Sequence, residues 1–192
     1  CEAPLRFLGS PGRKQSHPSG DPVPTTAPVE IRPAGRPDAA AISRLVTANV
    51  GLGHLLPRTP DEIGRHVSRF LVATLDGTVL GCGELAPLSD RLSEIRSLVV
   101  TTGSRGTGIG TAVLAALVAW ARRQGVPRLC AFTHVPHPFV AIGFSIVPHT
   151  WLPEKIMTDC QRCEWFRRCE QYAVVIELGW GQSGPRGTAR TI

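Results

Sequence analysis

With 192 residues and a formal net charge of +6, the chain is long enough for one domain with a sizeable apolar core. No run approaches the roughly 20 consecutive apolar residues of a membrane span, so no membrane partner is expected. Six unevenly spaced cysteines favour reduced thiols in a cytoplasmic protein over the disulfide framework of a secreted one. The basic excess lacks the interleaved aromatic residues of a single-stranded nucleic-acid surface, so no nucleic-acid partner is expected either.

The composition divides the chain into three parts. Residues 1–28 are rich in Pro, Gly, Ser and Thr and are predicted to be disordered. The last residues, 180–192, have a similar composition and carry the same prediction. Between them, residues 29–179 contain the periodic apolar patterns and are predicted to form a single domain.

The first half of this domain carries strand and helix signals. A strand is predicted over Ala27–Ala34, and Asp38 is placed to cap the first helix. Thr59 is placed to cap a second helix, because Pro60 occupies its first position and acidic residues follow in the first turn. Asp76-Gly77 then separates two β-rich runs, which is a strong signal for a two-residue hairpin turn.

The second half alternates strands and helices. A strand is predicted over Leu92–Val100 and a long helix over Gly110–Gln124, which ends with two arginines and Gly125. Further strands are predicted over residues 128–135 and 171–180, and a short helix and turn over residues 137–144. A hairpin followed by strand–helix–strand indicates a mixed α/β sheet.

Three glycines alternate between the predicted strand and the long helix, at Gly106, Gly108 and Gly110. This spacing does not match the G-x-G-x-x-G of dinucleotide-binding folds, and no lysine is present for a P-loop. Successive amides at a helix N-terminus bind phosphate without any side-chain charge, and glycine allows a close approach. No Asp or Glu occurs between Glu94 and Glu154, so positive charge is expected to gather around this loop. The pattern predicts a small, phosphate-rich ligand.

The loop resembles the Arg/Gln-x-x-Gly-x-Gly/Ala signature of the GNAT superfamily of acetyl-CoA-dependent N-acetyltransferases, and the resemblance runs roughly from Val29 to Leu178. It implies a mixed, mostly antiparallel central sheet flanked by helices, with acetyl-CoA in the cleft between the splayed central strands. It also implies that the backbone of Leu98, Val99 and Val100 pairs with the pantetheine arm like an added strand. The coenzyme A pyrophosphate is expected on the amides of Arg105, Gly106, Thr107, Gly108, Ile109, Gly110 and Thr111.

Other segments resemble the short, stand-alone amino-acid N-acetyltransferases that make N-acetylglutamate for arginine biosynthesis, which implies L-glutamate as the acceptor. A dicarboxylate needs cations, and Arg58, Arg96 and Lys155 lie in these segments. For each cation, a solvated surface charge or an internal ion pair is the alternative role. The matching segments are Leu55–Thr59, Gly81–Leu85, Ser93–Val100, Phe132–Phe144 and Leu152–Cys163.

The reaction needs a proton acceptor, because an ammonium must lose a proton before it attacks a thioester. Glu94 lies in the strand expected to carry the acetyl group, with pairing to a neighbouring arginine as its alternative role. His134 ends the next strand, and histidine is a residue type suited to proton transfer at neutral pH, with a structural histidine as the alternative role. Many family members place a tyrosine where this chain has Phe139, so a dedicated acid for the thiolate is absent there. A backbone amide near Val99 is a candidate for the oxyanion.

Three cysteines, Cys160, Cys163 and Cys169, lie close together at the end of the last of these segments and just after it. Their spacing is compatible with structural zinc, and Asp159, His149 or Cys130 could serve as the fourth ligand, but none of these is at a diagnostic spacing. Buried thiols or a redox-labile pair are the alternatives. No metal site is therefore assigned.

The main hypothesis is direct acetyl transfer from acetyl-CoA to the α-amine of L-glutamate. The alternatives are a GNAT enzyme acting on glutamine, another small amine or a protein N-terminus, and a catalytically degenerate domain that binds acetyl-CoA as a sensor or interaction module. The expected partner is a small amino acid. The oligomeric state is left open, a homodimer included.

Overall fold

A computed structural model of the chain describes residues 28–53, 55–163 and 165–179. The segments predicted to be disordered, residues 1–28 and 180–192, lie outside the described residues apart from Pro28. Within the described part of the chain, every helix is too short or too polar to cross a membrane.

The central feature is a seven-stranded sheet. Its strands are β1 (Glu30–Pro33), β2 (Phe70–Leu75), β3 (Thr78–Ser89), β4 (Leu92–Val100), β5 (Arg128–Thr133), β6 (Ser145–Val147) and β7 (Tyr172–Glu177). Their order across the sheet is β1-β2-β3-β4-β5-β7-β6, and all neighbours are antiparallel except β4 and β5, which are parallel. This confirms the predicted mixed, mostly antiparallel sheet.

Helices cover both faces of the sheet. They are α1 (Ala39–Gly53), α2 (Pro60–Arg65), α3 (Ile109–Arg123), α4 (His137–Ala141) and α5 (Pro153–Thr158). The long helix α3 buries an apolar stripe against one face, where Phe139 and Phe144 complete the largest core cluster. On the other face, α1 and α2 cover a second apolar cluster, and Leu152 at the start of α5 covers a third.

The predicted local signals have mixed outcomes. The Thr59 Oγ1 accepts from the Glu62 amide at 3.2 Å, and the Glu62 carboxylate accepts from the Thr59 amide at 2.7 Å, which confirms the cap of α2. Asp76 and Gly77 both have positive φ angles and form the turn between β2 and β3, as predicted. The prediction for Asp38 was wrong, because a 3-10 turn begins at residue 36 and Asp38 caps that turn through the amide of Gly35.

Two elements near the C-terminal end were not predicted. The strand β6 has only three residues and gains its hydrogen bonds from β7, so no local pattern marks it. The helix α5 is six residues long and follows a run of 3-10 turn. Its signals, Pro153 at the first position and Glu154 in the first turn, are present in the sequence but short.

Candidate active site

The parallel strands β4 and β5 separate soon after they begin. They pair only where Leu92–Glu94 lies beside Arg128–Cys130. Beyond Glu94, this side of β4 has no partner strand among the described residues, and a gap opens between the two strands. Because the Thr101 amide donates to the Leu80 carbonyl oxygen at 2.7 Å, the alternation of the ladder turns the Val100 N–H towards the gap. The splayed strands implied by the resemblance are therefore present.

A β-bulge lies in the part of β4 that borders this gap. Cys82 pairs with Val99 and Glu84 with Arg96, so β4 carries one more residue than β3 between the two pairs. Ser97 lies in this interval with a φ of +50°, a left-handed conformation uncommon for a residue other than glycine. Because the bulge takes up the extra residue, Arg96 lies opposite Glu84 and the last residues of β4 still run along the edge of the gap.

The glycine-rich loop joins β4 to the N-terminus of α3, as predicted. Gly106 and Gly108 have φ angles of +77° and +88°, which a residue with a Cβ adopts only with strain. The first-turn amides of α3 have no acceptor within the helix, so they point out of its N-terminus. This is the geometry of an anion site built from backbone amides.

Positive charge does not gather around the loop, contrary to the expectation from the acid-free stretch. Arg105 donates a hydrogen bond to the Asn49 side chain of α1. Arg122 and Arg123 lie in the last turn of α3, about 20 Å from its start at a rise of about 1.5 Å per residue. A stretch of sequence without acids does not by itself concentrate positive charge in space, because a helix carries residues that are close in sequence away from one another.

One half of the predicted substrate site is a carboxylate held by two arginines. Glu84 on β3 is fully buried, and Arg96 lies opposite it on β4. Arg96 donates from Nε to Glu84 Oε2 at 2.9 Å and from Nη2 to Oε1 at 3.3 Å, and Arg58 donates to the same carboxylate. Burial lowers the pKa of Arg96, but the hydrogen bond and charge of Glu84 raise it above its usual value. These three side chains carry a net charge of +1.

The other half contains Glu94, Lys155 and Asp159. Lys155 Nζ lies 2.8 Å from the Glu94 carboxylate and 2.7 Å from Asp159 Oδ2. Burial raises the pKa of Glu94, and the charge of Lys155 offsets this only in part. Burial also lowers the pKa of Lys155, but its two carboxylate partners raise it above its usual value. These three side chains carry a net charge of −1.

The two halves form one charged network, which we define as Arg58, Glu84, Glu94, Arg96, Lys155 and Asp159. Asp159 Oδ2 lies 3.9 Å from Arg96 Nη1 and joins the halves. Glu84, Arg96 and Glu94 share one face of the sheet, since side chains alternate along a strand. The network interrupts the apolar packing of that face, between the cluster under α1 and α2 and the cluster under α5. It adjoins the point where β4 and β5 part.

The remaining predicted residues lie around the gap or in the core. His134 directly follows β5, and so lies across the gap from the end of β4, partly buried. Phe139 is buried and packs edge-to-face on Phe144, with ring centroids 5.4 Å apart. The position that holds a tyrosine in many family members therefore contributes core packing in this chain.

The cysteine cluster forms no metal site in the described part of the chain. Among these residues, no group of three or more His, Cys, Asp or Glu side chains is close enough to hold an ion. Cys160, Cys163 and Cys169 are free thiols, and burial raises the pKa of Cys160.

Sequence reasoning missed two members of the charged network. Glu84 is an acid within the predicted apolar strand, and such a residue is rarely buried without a partner. Asp159 follows Lys155 by four residues, which places the two on one side of a helix. Both signals were present, but their partners Arg58 and Arg96 lie far away in the sequence.

The family model described as "Acetyltransferase (GNAT) family" matches residues 46–144. An uncharacterized N-acetyltransferase of Chlorobaculum tepidum is 33% identical over 77% of this chain and 96% of its own length. The amino-acid acetyltransferase of Mycobacterium tuberculosis is 31% identical over 69% of this chain and 77% of its own. The N-acetylglutamate synthase of Neisseria gonorrhoeae, solved with coenzyme A and N-acetyl-glutamate, superposes with a TM-score of 0.69 at 27% identity.

These relatives differ in length. The chain spans only 35% of the Neisseria gonorrhoeae enzyme, of which it resembles one part, while 79% of this chain is covered. Other amino-acid acetyltransferases are covered over 31% and 28% of their length, in Shewanella oneidensis and Ralstonia nicotianae. The family match confirms the predicted fold and the predicted enzyme class. The chain belongs to the acetyltransferase (GNAT) family and is an acetyl-CoA-dependent N-acetyltransferase.

Proposed function

We propose that this chain transfers the acetyl group of acetyl-CoA to the α-amine of L-glutamate, forming N-acetyl-L-glutamate for arginine biosynthesis in the cytoplasm. The observation that carries the proposal is the charged network beside the gap between β4 and β5. An acceptor lying on this network faces the edge of β4 along which the donor is expected.

For the donor, we propose that Leu98, Val99 and Val100 pair with the pantetheine arm through the open edge of β4. The unpaired side of this strand and the bulge before it support that role. We propose that the pyrophosphate lies on the amides from Arg105 to Thr111, at the N-terminus of α3. The two loop glycines, which have positive φ angles, support this placement. A glycine has no side chain, so its backbone is left open to a ligand.

For the acceptor, we propose that Arg58 and Arg96 hold one carboxylate. Each guanidinium has five N–H donors, and Glu84 occupies only one of those on Arg58 and two of those on Arg96. The Arg58 and Arg96 side chains are 17% and 31% exposed, so solvent reaches them. Since the trio carries a charge of +1, one bound carboxylate neutralises it.

Lys155 is the proposed partner of the second carboxylate of glutamate. It lies on the same face as the arginine pair and is joined to it through Asp159. In this role Lys155 must exchange one partner for another, because it donates to two carboxylates of the chain itself.

For catalysis, we propose Glu94 as the general base, directly or through a water. A carboxylate whose pKa is raised by burial is a stronger proton acceptor than an ordinary one. The freed amine then attacks the thioester carbonyl, a C–N bond forms, and the C–S bond breaks to release the coenzyme A thiolate. We propose that the Val100 N–H, which faces the gap, donates to the oxyanion. His134 is the second candidate for proton transfer, from the β5 side.

The relatives support an amino-acid acceptor. The proteins from Mycobacterium tuberculosis and Shewanella oneidensis are named amino-acid acetyltransferases, and the Neisseria gonorrhoeae structure contains N-acetyl-glutamate. A second acceptor, an amino acid with one carboxylate such as glutamine, is favoured by one observation. The charged network has three cations and three carboxylates, so its charges sum to zero and match a neutral zwitterion.

Coenzyme A release across a panel of amines tests the proposal. L-glutamate, L-glutamine, L-aspartate and a peptide with a free N-terminus are each offered with acetyl-CoA, and the product is identified by mass. We expect the highest kcat/KM with L-glutamate. We also expect Arg58→Gln to raise the KM for L-glutamate about tenfold or more, whereas Arg44→Gln on the exposed side of α1 leaves it unchanged. A preference for the peptide, or no turnover of any amino acid, contradicts the proposal.

A further inference from the structure

Asp159 is the most exposed carboxylate of the charged network. Its side chain is 36% accessible, whereas those of Glu84 and Glu94 are 0% and 3% accessible. Its Oδ2 nevertheless lies 2.7 Å from Lys155 Nζ and 3.9 Å from Arg96 Nη1. Asp159 therefore stands between two of the three cations that are proposed to bind the acceptor.

The three carboxylates differ in how easily they can leave their cations. Glu84 and Glu94 are enclosed by the sheet and its covering elements, so moving either away leaves a buried charge without its partner. Asp159 lies at the C-terminal end of α5, where its amide donates to the Lys155 carbonyl oxygen at 3.0 Å. With its backbone held in this way, a change of side-chain rotamer is enough to turn the carboxylate towards solvent.

Helix stability does not account for an acid at this position. The end of a helix carries partial negative charge, which opposes a carboxylate there. The pair is also in the less favourable order, since an acid placed four residues before a lysine stabilises a helix better than an acid placed four residues after it. The position of Asp159 is instead explained by the cations it faces.

We infer that Asp159 is an internal competitor for the acceptor's side-chain carboxylate and thereby determines acceptor specificity. Without substrate, its carboxylate occupies the place between Lys155 and Arg96. An acidic amino acid must displace it, because two carboxylates in that place repel one another. An amide side chain carries no charge and can donate to Asp159 where it stands. The inference rests on the proposed function, since it assumes an amino-acid acceptor on the charged network.

The test compares L-glutamate with L-glutamine as acceptors at saturating acetyl-CoA, in the wild type and in Asp159→Asn. We expect the variant to raise the ratio of the kcat/KM for glutamate to that for glutamine about tenfold, through a lower KM for glutamate. Asp159→Ala is expected to act in the same direction, and Asp159→Glu, which keeps the charge, to retain the wild-type ratio. Asp90→Asn removes an equal charge from an exposed turn outside the network and is expected to change nothing.

The outcomes separate the inference from the proposed function. If the wild type turns over both amino acids but neither neutral variant changes the ratio, Asp159 has no part in specificity and only the inference fails. A lower glutamate-to-glutamine ratio of kcat/KM in the neutral variants likewise contradicts only the inference. If the wild type turns over neither amino acid, the proposed function fails and the inference falls with it.

Discussion

Glu84 and Arg96 lie opposite one another in the β3–β4 ladder, and Arg96 Nε donates to Glu84 Oε2 at 2.9 Å. Arg58 reaches the same carboxylate from the segment before α2. A fully buried charge is tolerated only when it is paired and hydrogen-bonded. Glu84 therefore ties the α2 side of the domain to the centre of the sheet, and both arginines depend on it for their positions.

Replacement of Glu84 by Gln is expected to reduce the free energy of unfolding by about 2 kcal/mol. The variant keeps the size of the side chain but leaves two partly buried guanidinium groups without their anion. Urea denaturation measures the effect. Glu170→Gln, at an exposed position, is the control and is expected to have no measurable effect. An equal stability of the two variants would show that Glu84 does not hold the network together.

Substitutions at Gly108 test whether the glycine-rich loop binds the coenzyme A pyrophosphate. Gly108→Asp puts a carboxylate beside the proposed pyrophosphate and is expected to weaken coenzyme A binding about 100-fold or more. Gly108→Asn has the same shape, tolerates the positive φ of +88° equally well, and carries no charge. We therefore expect a much smaller loss of affinity for the Asn variant in calorimetric titration. Equal affinities for the two variants would show that the phosphates do not lie beside Gly108.

Gly83 tests the packing of α3 on the sheet. A Cβ at this position lies 2.6 Å from Leu117 Cδ1, in the middle of the largest core cluster. Gly83→Ala is expected to destabilise the protein by about 1–3 kcal/mol, because the core has no room for the methyl group. Gly51→Ala, on α1 with no atom within 4 Å of the added Cβ, is expected to stabilise it by about 0.5–1 kcal/mol. Thermal unfolding of both variants gives the comparison, and a Gly83→Ala protein as stable as the wild type contradicts the packing.

The pH dependence of kcat/KM for the acceptor tests Glu94 as the base. Activity requires the deprotonated form, so kcat/KM should rise with pH through the pKa of Glu94 in the free enzyme, which burial places above its usual value of 4.5. The positive charge of Lys155 lowers this pKa and the negative charge of Asp159 raises it. Lys155→Met should therefore move the acidic limb to higher pH, and Asp159→Asn should move it to lower pH.

Two further variants assign this limb to a residue. Glu94→Gln is expected to abolish the limb and to lower kcat about 100-fold or more. His134→Gln keeps hydrogen-bonding groups at the other candidate position and is expected to leave the limb in place. If His134→Gln loses the limb and Glu94→Gln retains it, His134 and not Glu94 is the general base.

The strand, glycine-rich loop and helix that are proposed to bind the donor could be predicted from the sequence because their signals are local. Glycines at 106 and 108, the helix that follows and the strand before it are contiguous in the chain, and each has a backbone requirement that the residue type reveals. The apolar stripe of α3 was predicted for the same reason, since a 3.6-residue period is visible in the sequence. The predicted end points of α3 differed from the observed ones by a single residue.

The acceptor side could be predicted only as a set of candidates. Arg58, Arg96, Lys155 and Glu94 were identified, but their partners were not, since Glu84 had no assigned role and Asp159 was considered only as a possible zinc ligand. Residues 26 and 61 positions apart meet in Arg58–Glu84 and Glu94–Lys155, and no local pattern encodes such pairs. The expected concentration of basic residues around the loop was wrong for the same reason, because α3 carries its arginines to the far end.

The sequence by itself determined the family, the strand–loop–helix order of the proposed coenzyme site and the types of charged residue available to an acceptor. These follow from backbone preferences and periodicity, which act over a few residues. Only the tertiary structure decided that the three cations are paired with three carboxylates on one sheet face, beside the gap where β4 leaves β5. Ion pairing depends on distance and burial, and both are set by the register of the sheet and the packing of α5 across it.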